Sequence, residues 1–274
     1  MRAVRSMFAA RLPRGLAAAA LAAASLTAVA LGVASLATAP ALAQEAPTPP
    51  HMQWSWQGPF GTFDLAAAQR GFQVYSEVCS TCHALKQLHY RDLAGIGLAP
   101  AQIQAVAAAA TVPLGVDDQG QPKEGPGTPG NQFRSPFPNE QAARAAENGA
   151  LPPDLSLIVN AREGGPDYLY GILTGFADAP AGFTMQPGMN YNAMFPGHQI
   201  AMPQPLHDGQ VTFADGTPNN VPQMAHDVVT FLAWAANPEL VERKQIGWRV
   251  ILFLVVMTGL TYAVKRKTWA DVEH

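Results

Sequence analysis

Cys79-Ser80-Thr81-Cys82-His83 is the stretch on which the reading of this chain turns. Two thiols three positions apart on one short helical turn face the same way, and an imidazole follows the second directly. That C-x-x-C-H order is the attachment signature of a c-type haem. Each thiol can add to one vinyl group, and the histidine then reaches the iron as an axial ligand. The same residues could also belong to a redox dithiol, or form half a zinc site beside a chance histidine. The chain holds only two cysteines, both in this motif, so nothing completes a four-ligand zinc site. The flanks carry helical patterning, not the strand–helix–strand setting of a thioredoxin-like dithiol. A haem-bearing unit is therefore the expectation.

Immediately upstream, residues 62–78 read as an amphipathic helix. Leu65, Ala68, Phe72, Tyr75 and Val78 recur at spacings of three and four, with Asp64 at the start, where a carboxylate suits the helix N-terminus. Gly71 weakens the helix but lets a second helix approach closely. The partner is the helix expected over residues 222–237, rich in Val228, Val229, Phe231, Leu232 and Trp234 and ended by Pro238. Phe231 or Trp234 should meet the first helix near Gly71. His226, in the same helix, reads as a packing or surface histidine.

Downstream of the motif, residues 99–110 suit a short helix, and residues 115–135, dense in Gly, Pro and polar side chains, read as a long surface loop. Helical pattern returns over 138–148. It breaks at Gly149-Ala150-Leu151-Pro152-Pro153-Asp154-Leu155, whose prolines force an extended, stiff backbone suited to lining the edge of a flat ligand. Arg162 would ordinarily be a solvated surface residue. Beside a porphyrin edge its planar fork would match a propionate. A short apolar segment covers 168–176. Residues 178–215 are rich in Gly, Pro and Met, are expected to be irregular, and should hold the second axial ligand. Candidates are Met185, Met189, Met194, Met202, His198 and His207. Met202 leads, because Pro203 and Pro205 stiffen its backbone, whereas methionine elsewhere mostly fills gaps.

The ends set the address. Arg2, Arg5, Arg11 and Arg14 precede an Ala/Leu-rich run and Ala41-Leu42-Ala43, the layout of a secretory signal peptide over residues 1–43. Residues 246–264 are apolar save for Arg249, close to bilayer length, with Trp248 and Trp269 at the two ends as interface anchors. Lys265-Arg266-Lys267 follow, and the positive-inside rule puts them in the cytoplasm. The expected organisation is a signal peptide (1–43), an exported haem domain (44–245), a membrane anchor (246–264) and a cytoplasmic tail (265–274). The exported part carries 9 basic and 18 acidic residues, a net charge of −9. Such a field disfavours nucleic acid and would steer a basic partner to the surface.

Taken together, these residues resemble the cytochrome c1 family, the haem subunits of the cytochrome bc1 complex. The resemblance runs from about Trp54 to Trp269. Beyond the motif it is carried by Arg70-Gly71-Phe72-Gln73-Val74-Tyr75, Tyr90-Arg91-Asp92-Leu93, the segment 148–156, Gly164-Gly165-Pro166-Asp167-Tyr168, Ala201-Met202-Pro203 and the anchored C-terminus. It implies a mainly α fold: a class I c-type cytochrome-like haem domain with long irregular loops, plus one C-terminal transmembrane helix. It also implies one covalently attached haem c held by Cys79 and Cys82, with His83 and Met202 as axial ligands and Arg162 facing a propionate. Asn148, Pro153 and Tyr168 would lie around the haem. The implied activity is single-electron transfer from a Rieske iron–sulfur protein to a soluble c-type cytochrome. The chain would be an electron-transfer subunit rather than a catalyst on its own, with cytochrome b as membrane partner, in the bacterial inner membrane. A membrane-tethered cytochrome feeding another oxidase or reductase is the alternative. The disulfide-bearing insertion of some members is missing from this chain.

Overall fold

A computed structural model describes residues 47–272; the expected signal peptide lies outside them. Helix α1 (Leu65–Glu77) starts where Asp64 accepts a hydrogen bond from the Ala67 amide at 3.1 Å, which satisfies one of the otherwise orphaned N–H groups of the first turn. Its buried face is Ala67, Ala68, Gly71, Phe72, Val74 and Tyr75. Leu65, expected in that stripe, is instead 45% exposed at the helix start, where the chain has yet to reach the core.

The chain then runs through the motif turn and a 3₁₀ segment (Tyr90–Ile96) into α2 (Pro100–Ala109). The stretch expected as a surface loop (115–135) starts inside an antiparallel hairpin, β1 (Thr111–Val116) with β2 (Pro122–Pro126). Its strands are exposed apart from Val112 and the half-buried Gly125, so no alternation of apolar and polar residues announces them. Helix α3 (Glu140–Ala146) is capped by Asn139, whose side chain accepts from the Ala142 amide. Helix α4 (Gly165–Thr174) follows the extended proline segment. The Met-rich stretch is largely irregular, holding one small pairing of β3 (Asn190–Tyr191) with β4 (Gln199–Ile200).

Helix α5 (Val221–Ala236) is the centre of the unit. It is buried almost all round, from Met224 to Ala235, because α1 packs on one side and α4 on another. The crossing with α1 is close. A β-carbon at Gly71 would lie 2.5 Å from the carbonyl carbon of Asp227 and 2.8 Å from Cβ of Phe231. Phe231 thus meets α1 at Gly71, as expected, whereas Trp234 lies over Gly95. Beside the crossing, Arg70 Nε donates to Asp227 Oδ2 at 2.6 Å and its Nη1 to Asp215 at 2.8 Å. Asp227 is fully buried, and its remaining partners are Gln223 and His226. His226 stacks on Trp54, ring centres 5.1 Å apart.

Helix α6 (Leu240–Thr268) has 29 residues, about 43 Å at 1.5 Å per residue. None of its residues is buried, and a window of 18 has mean hydropathy 1.7, long and apolar enough to cross a membrane. It begins before the apolar run, so Glu242, Arg243 and Lys244 continue the same helix above it. The fold is mainly α with one apolar C-terminal helix.

Candidate haem site

Helix α1 ends at Glu77, and Cys79–Thr81 form one 3₁₀ turn. The amides of Cys82 and His83 both bond to the Cys79 carbonyl, at 3.2 and 2.9 Å. The turn thereby brings both cysteines and the histidine onto one short loop. The Tyr75 hydroxyl, one helical turn back, donates to the His83 carbonyl at 3.1 Å and ties the loop to α1.

Opposite lies the proline segment. Its backbone is stitched to the residues after the motif: the Leu155 amide bonds the Ala84 carbonyl at 2.8 Å, the Lys86 amide bonds Asp154 at 2.9 Å, and the Gln87 amide bonds the Ser156 hydroxyl at 3.0 Å. At the head of this seam His83 Nδ1 is 2.8 Å from the Pro153 carbonyl oxygen. A carbonyl can only accept, so Nδ1 carries the proton and Nε2 presents its lone pair. That is the tautomer of a metal-bound imidazole whose second nitrogen is fixed from behind.

Electrostatics agree. Burial lowers the His83 pKa, against the smaller opposing effects of its bond to Pro153 and of the Glu147 and Asp154 charges, which favours the neutral imidazole. Burial, then the neighbouring Cys82, pushes the Cys79 thiol up to about 12. Burial also raises Cys82, whose thiol donates to Glu147 Oε1 at 3.3 Å. The two cysteines are not joined to each other, and both, like His83, keep part of their surface open. Two adjacent thiols with one free imidazole nitrogen fit a covalently attached haem.

The other expected residues lie on other segments of the chain. Arg162 is exposed and donates to the Ala161 carbonyl at 3.0 Å. Its charge opposes the rise that burial causes in the Tyr168 phenol of α4. Asn148 stands exposed at the end of α3 with left-handed backbone, φ 50°, and among the described residues it makes no hydrogen bond to the motif. Met202 is half-buried, and its carbonyl accepts from Asn190 Nδ2 at 3.3 Å. Of its competitors, Met194 packs against Gly171 and Gly175 of the α4 end. His198 is occupied by Tyr191, stacked at 5.8 Å, and by the Ala193 carbonyl, 3.1 Å from Nδ1. Met185 and Met189 are half-buried, and His207 is exposed.

Sequence reasoning missed Tyr75, Glu147, Asn190 and Asn192 as parts of this setting. Fully buried Asn192 donates to the Ile172 carbonyl at 2.8 Å and accepts from the Met194 amide at 2.9 Å, docking the Met202-bearing stretch on α4. Nothing local marks these asparagines, since polar residues in a Gly/Pro-rich stretch read as loop.

A model of the Cytochrome C1 family matches residues 54–272. The chain belongs to the cytochrome c1 family. Cytochrome c1 of Rhodospirillum rubrum is 45% identical over 251 residues, covering 85% of this chain and 92% of the relative. The mitochondrial cytochrome c1 haem protein of Kluyveromyces lactis is 47% identical over 225 residues, 82% of this chain and 77% of the relative. A longer protein of Bradyrhizobium diazoefficiens named cytochrome b/c1 is 47% identical over 245 residues, 81% of this chain. The match spans only 36% of that protein. Cytochromes c1 are the haem subunits of the bc1 complex, electron-transport proteins of the respiratory chain, and carry covalently attached haem c. This chain therefore carries haem c.

Proposed function

We propose that this chain relays single electrons from a Rieske iron–sulfur protein to a soluble c-type cytochrome, as the haem subunit of a quinol-oxidising bc1 complex. Cys79 and Cys82 hold the haem through thioethers, and His83 and Met202 are the axial ligands. Arg162 faces a propionate, and Pro153, Tyr168 and Asn148 surround the group. The observation that carries the reading is the His83–Pro153 bond, which fixes the proton on Nδ1 and leaves Nε2 to coordinate. When bound, haem c supplies a one-electron couple. His83, held from behind, keeps its orientation in both oxidation states. Met202, stiffened by Pro203 and tied at its carbonyl to Asn190, closes the second face against water and raises the potential relative to a second histidine. The polypeptide thus supplies position and electrostatics rather than bond-making chemistry.

The address follows from the same parts. Residues 1–43 serve as the signal peptide and 44–245 lie in the periplasm. Residues 246–264 cross the bacterial inner membrane, and 265–274 are cytoplasmic. The name of the Bradyrhizobium relative, which joins b and c1, supports cytochrome b as the partner of α6. The charge of −9 on the exported part suits a weak, salt-sensitive encounter with a basic soluble cytochrome.

The test is a haem stain of the membrane complex on a denaturing gel, together with reduced-minus-oxidised spectra of the parent and Met202→Leu. A covalent chromophore co-purifying with a b-type cytochrome and a Rieske protein is expected. Met202→Leu should change the spectrum and open the reduced protein to carbon monoxide. No covalent chromophore would defeat the reading as a whole, and an unchanged spectrum would reassign the ligand.

A further inference from the structure

The turn just before α1 is built to display one residue. The Gln57 amide bonds the Trp54 carbonyl at 3.0 Å and the Thr62 amide bonds the Ser55 carbonyl at 3.1 Å, closing the loop at its base. At Gly61 a β-carbon would overlap the Gln57 carbonyl oxygen, so the turn admits glycine there. Phe60, at the tip, is 72% exposed. Its ring stacks on Trp248 with centres 5.5 Å apart and planes at 13°.

Trp248 lies at the near end of the apolar run of α6 and is itself 46% exposed, continuous with the bare surface of Val250, Ile251 and Leu252. One turn earlier on the same face, Lys244 Nζ donates to the carbonyls of Trp56, Gly58 and Gly61 at 2.6, 2.7 and 3.1 Å. An ammonium has three N–H donors, and this one loop takes all three. The loop and the head of the apolar helix are therefore gripped together at two points, one polar and one aromatic, four residues apart on α6.

We propose that the turn around Phe60 is a second membrane contact. Phe60 and Trp248 together sit at the headgroup–acyl boundary, and the Lys244 grip holds the haem-bearing unit at a set attitude to α6. The inference rests on the reading that α6 crosses the bilayer. The occupant is lipid because the aromatic pair continues the exposed apolar surface of α6, the stretch that crosses the bilayer in that reading. A ring pair beside a satisfied ammonium also suits the interface, where one side is apolar and the other wet.

With Cys79 and Cys82 taken up by the haem, a single introduced cysteine in the haem-loaded full chain accepts one nitroxide label. The labels go on Phe60→Cys, and on Pro59→Cys, which keeps Phe60. References are Leu254→Cys in the apolar run and Asp118→Cys at the hairpin turn. The chain is placed in lipid nanodiscs, and collisions with oxygen and with a water-soluble nickel chelate are compared. Labels at 59 and 60 should be several-fold better shielded from the chelate than the label at 118. Lys244→Met should move them toward the value at 118 while 254 stays protected. If 59 and 60 are as open to the chelate as 118 while 254 is protected, the inference fails and the span survives. If 254 is open too, both fail. Shielding that appears only in the assembled complex would also overturn the proposal, since a protein partner would then be the cover.

Discussion

Replacing Gly71 by alanine should destabilise the protein, although alanine is the better helix former. The substitution gains about 1 kcal/mol of helix propensity. Against this, the new β-carbon meets the Asp227 carbonyl carbon at 2.5 Å where ordinary contact begins near 3.4 Å, so it is short by about 1 Å. The obstacle is backbone of the central helix rather than a side-chain tip that could swing away. Relief requires α1 and α5 to part, and a gap of 0.5–1 Å forfeits about a quarter to a half of each contact along the crossing. The same movement stretches the Arg70–Asp227 hydrogen bond, now 2.6 Å. Overpacking of this kind costs about 3 kcal/mol, the upper end of the usual range, leaving a net loss of about 2 kcal/mol. At roughly 2–4 °C per kcal/mol for a unit of this size, the melting temperature should fall by about 4–8 °C. The assay is thermal unfolding of the haem-loaded full chain in detergent, followed by far-ultraviolet circular dichroism. Gly247→Ala, also inside a helix but with nothing within 4 Å of the added carbon, is the control and should melt at or slightly above the parent. A Gly71→Ala protein that melts with its parent or later would refute the close-crossing account.

Asp227→Asn removes the buried counter-charge of Arg70, which keeps only the half-exposed Asp215, and should cost about 3 kcal/mol in denaturant titrations, the lower end of the usual range. Burial pushes the Asp227 carboxyl up, but hydrogen bonds from His226, Arg70 and Gln223 and the Arg70 charge outweigh it, holding the pKa below the ordinary 3.8. Its stabilisation is therefore complete above that value and drains away as the pH falls through the depressed native pKa; acid titrations of parent and Asp227→Asn should converge there, and parallel curves would contradict the assignment. Asp154→Ala frees the amides of Lys86 and Ser156 and should lower stability by about 1–2 kcal/mol in the same titrations; an unchanged midpoint would contradict that role. Shortening the hairpin turn within residues 117–121, all exposed but one, should change stability by less than about 0.5 kcal/mol, with unchanged melting as the check.

Much of the site was legible because its chemistry is local. The C-x-x-C-H spacing needs one turn of chain to present both thiols and the imidazole, and the structure forms that turn at Cys79–Thr81. Gly71 and the apolar run of α5 were legible as a crossing because periodicity shows which face must be covered. The β1–β2 hairpin was not, since its exposed strands bury almost nothing and so leave no pattern. Leu65 fits the stripe by spacing, yet the helix start lies beyond the edge of the core.

By itself the sequence determined the covalent attachment motif and the pair of helices meant to cross. It also marked a C-terminal helix able to span a bilayer; each of these is written in spacings that a regular backbone converts directly into a face or a length. The tertiary structure alone decided which carbonyl orients His83, that of Pro153 some 70 residues away. It likewise decided that Asp227 is buried against Arg70, and that Lys244 grips the loop beneath Phe60 across more than 180 residues. Such pairings depend on where the chain returns in space, and a return is set by the whole packed core rather than by any stretch of it.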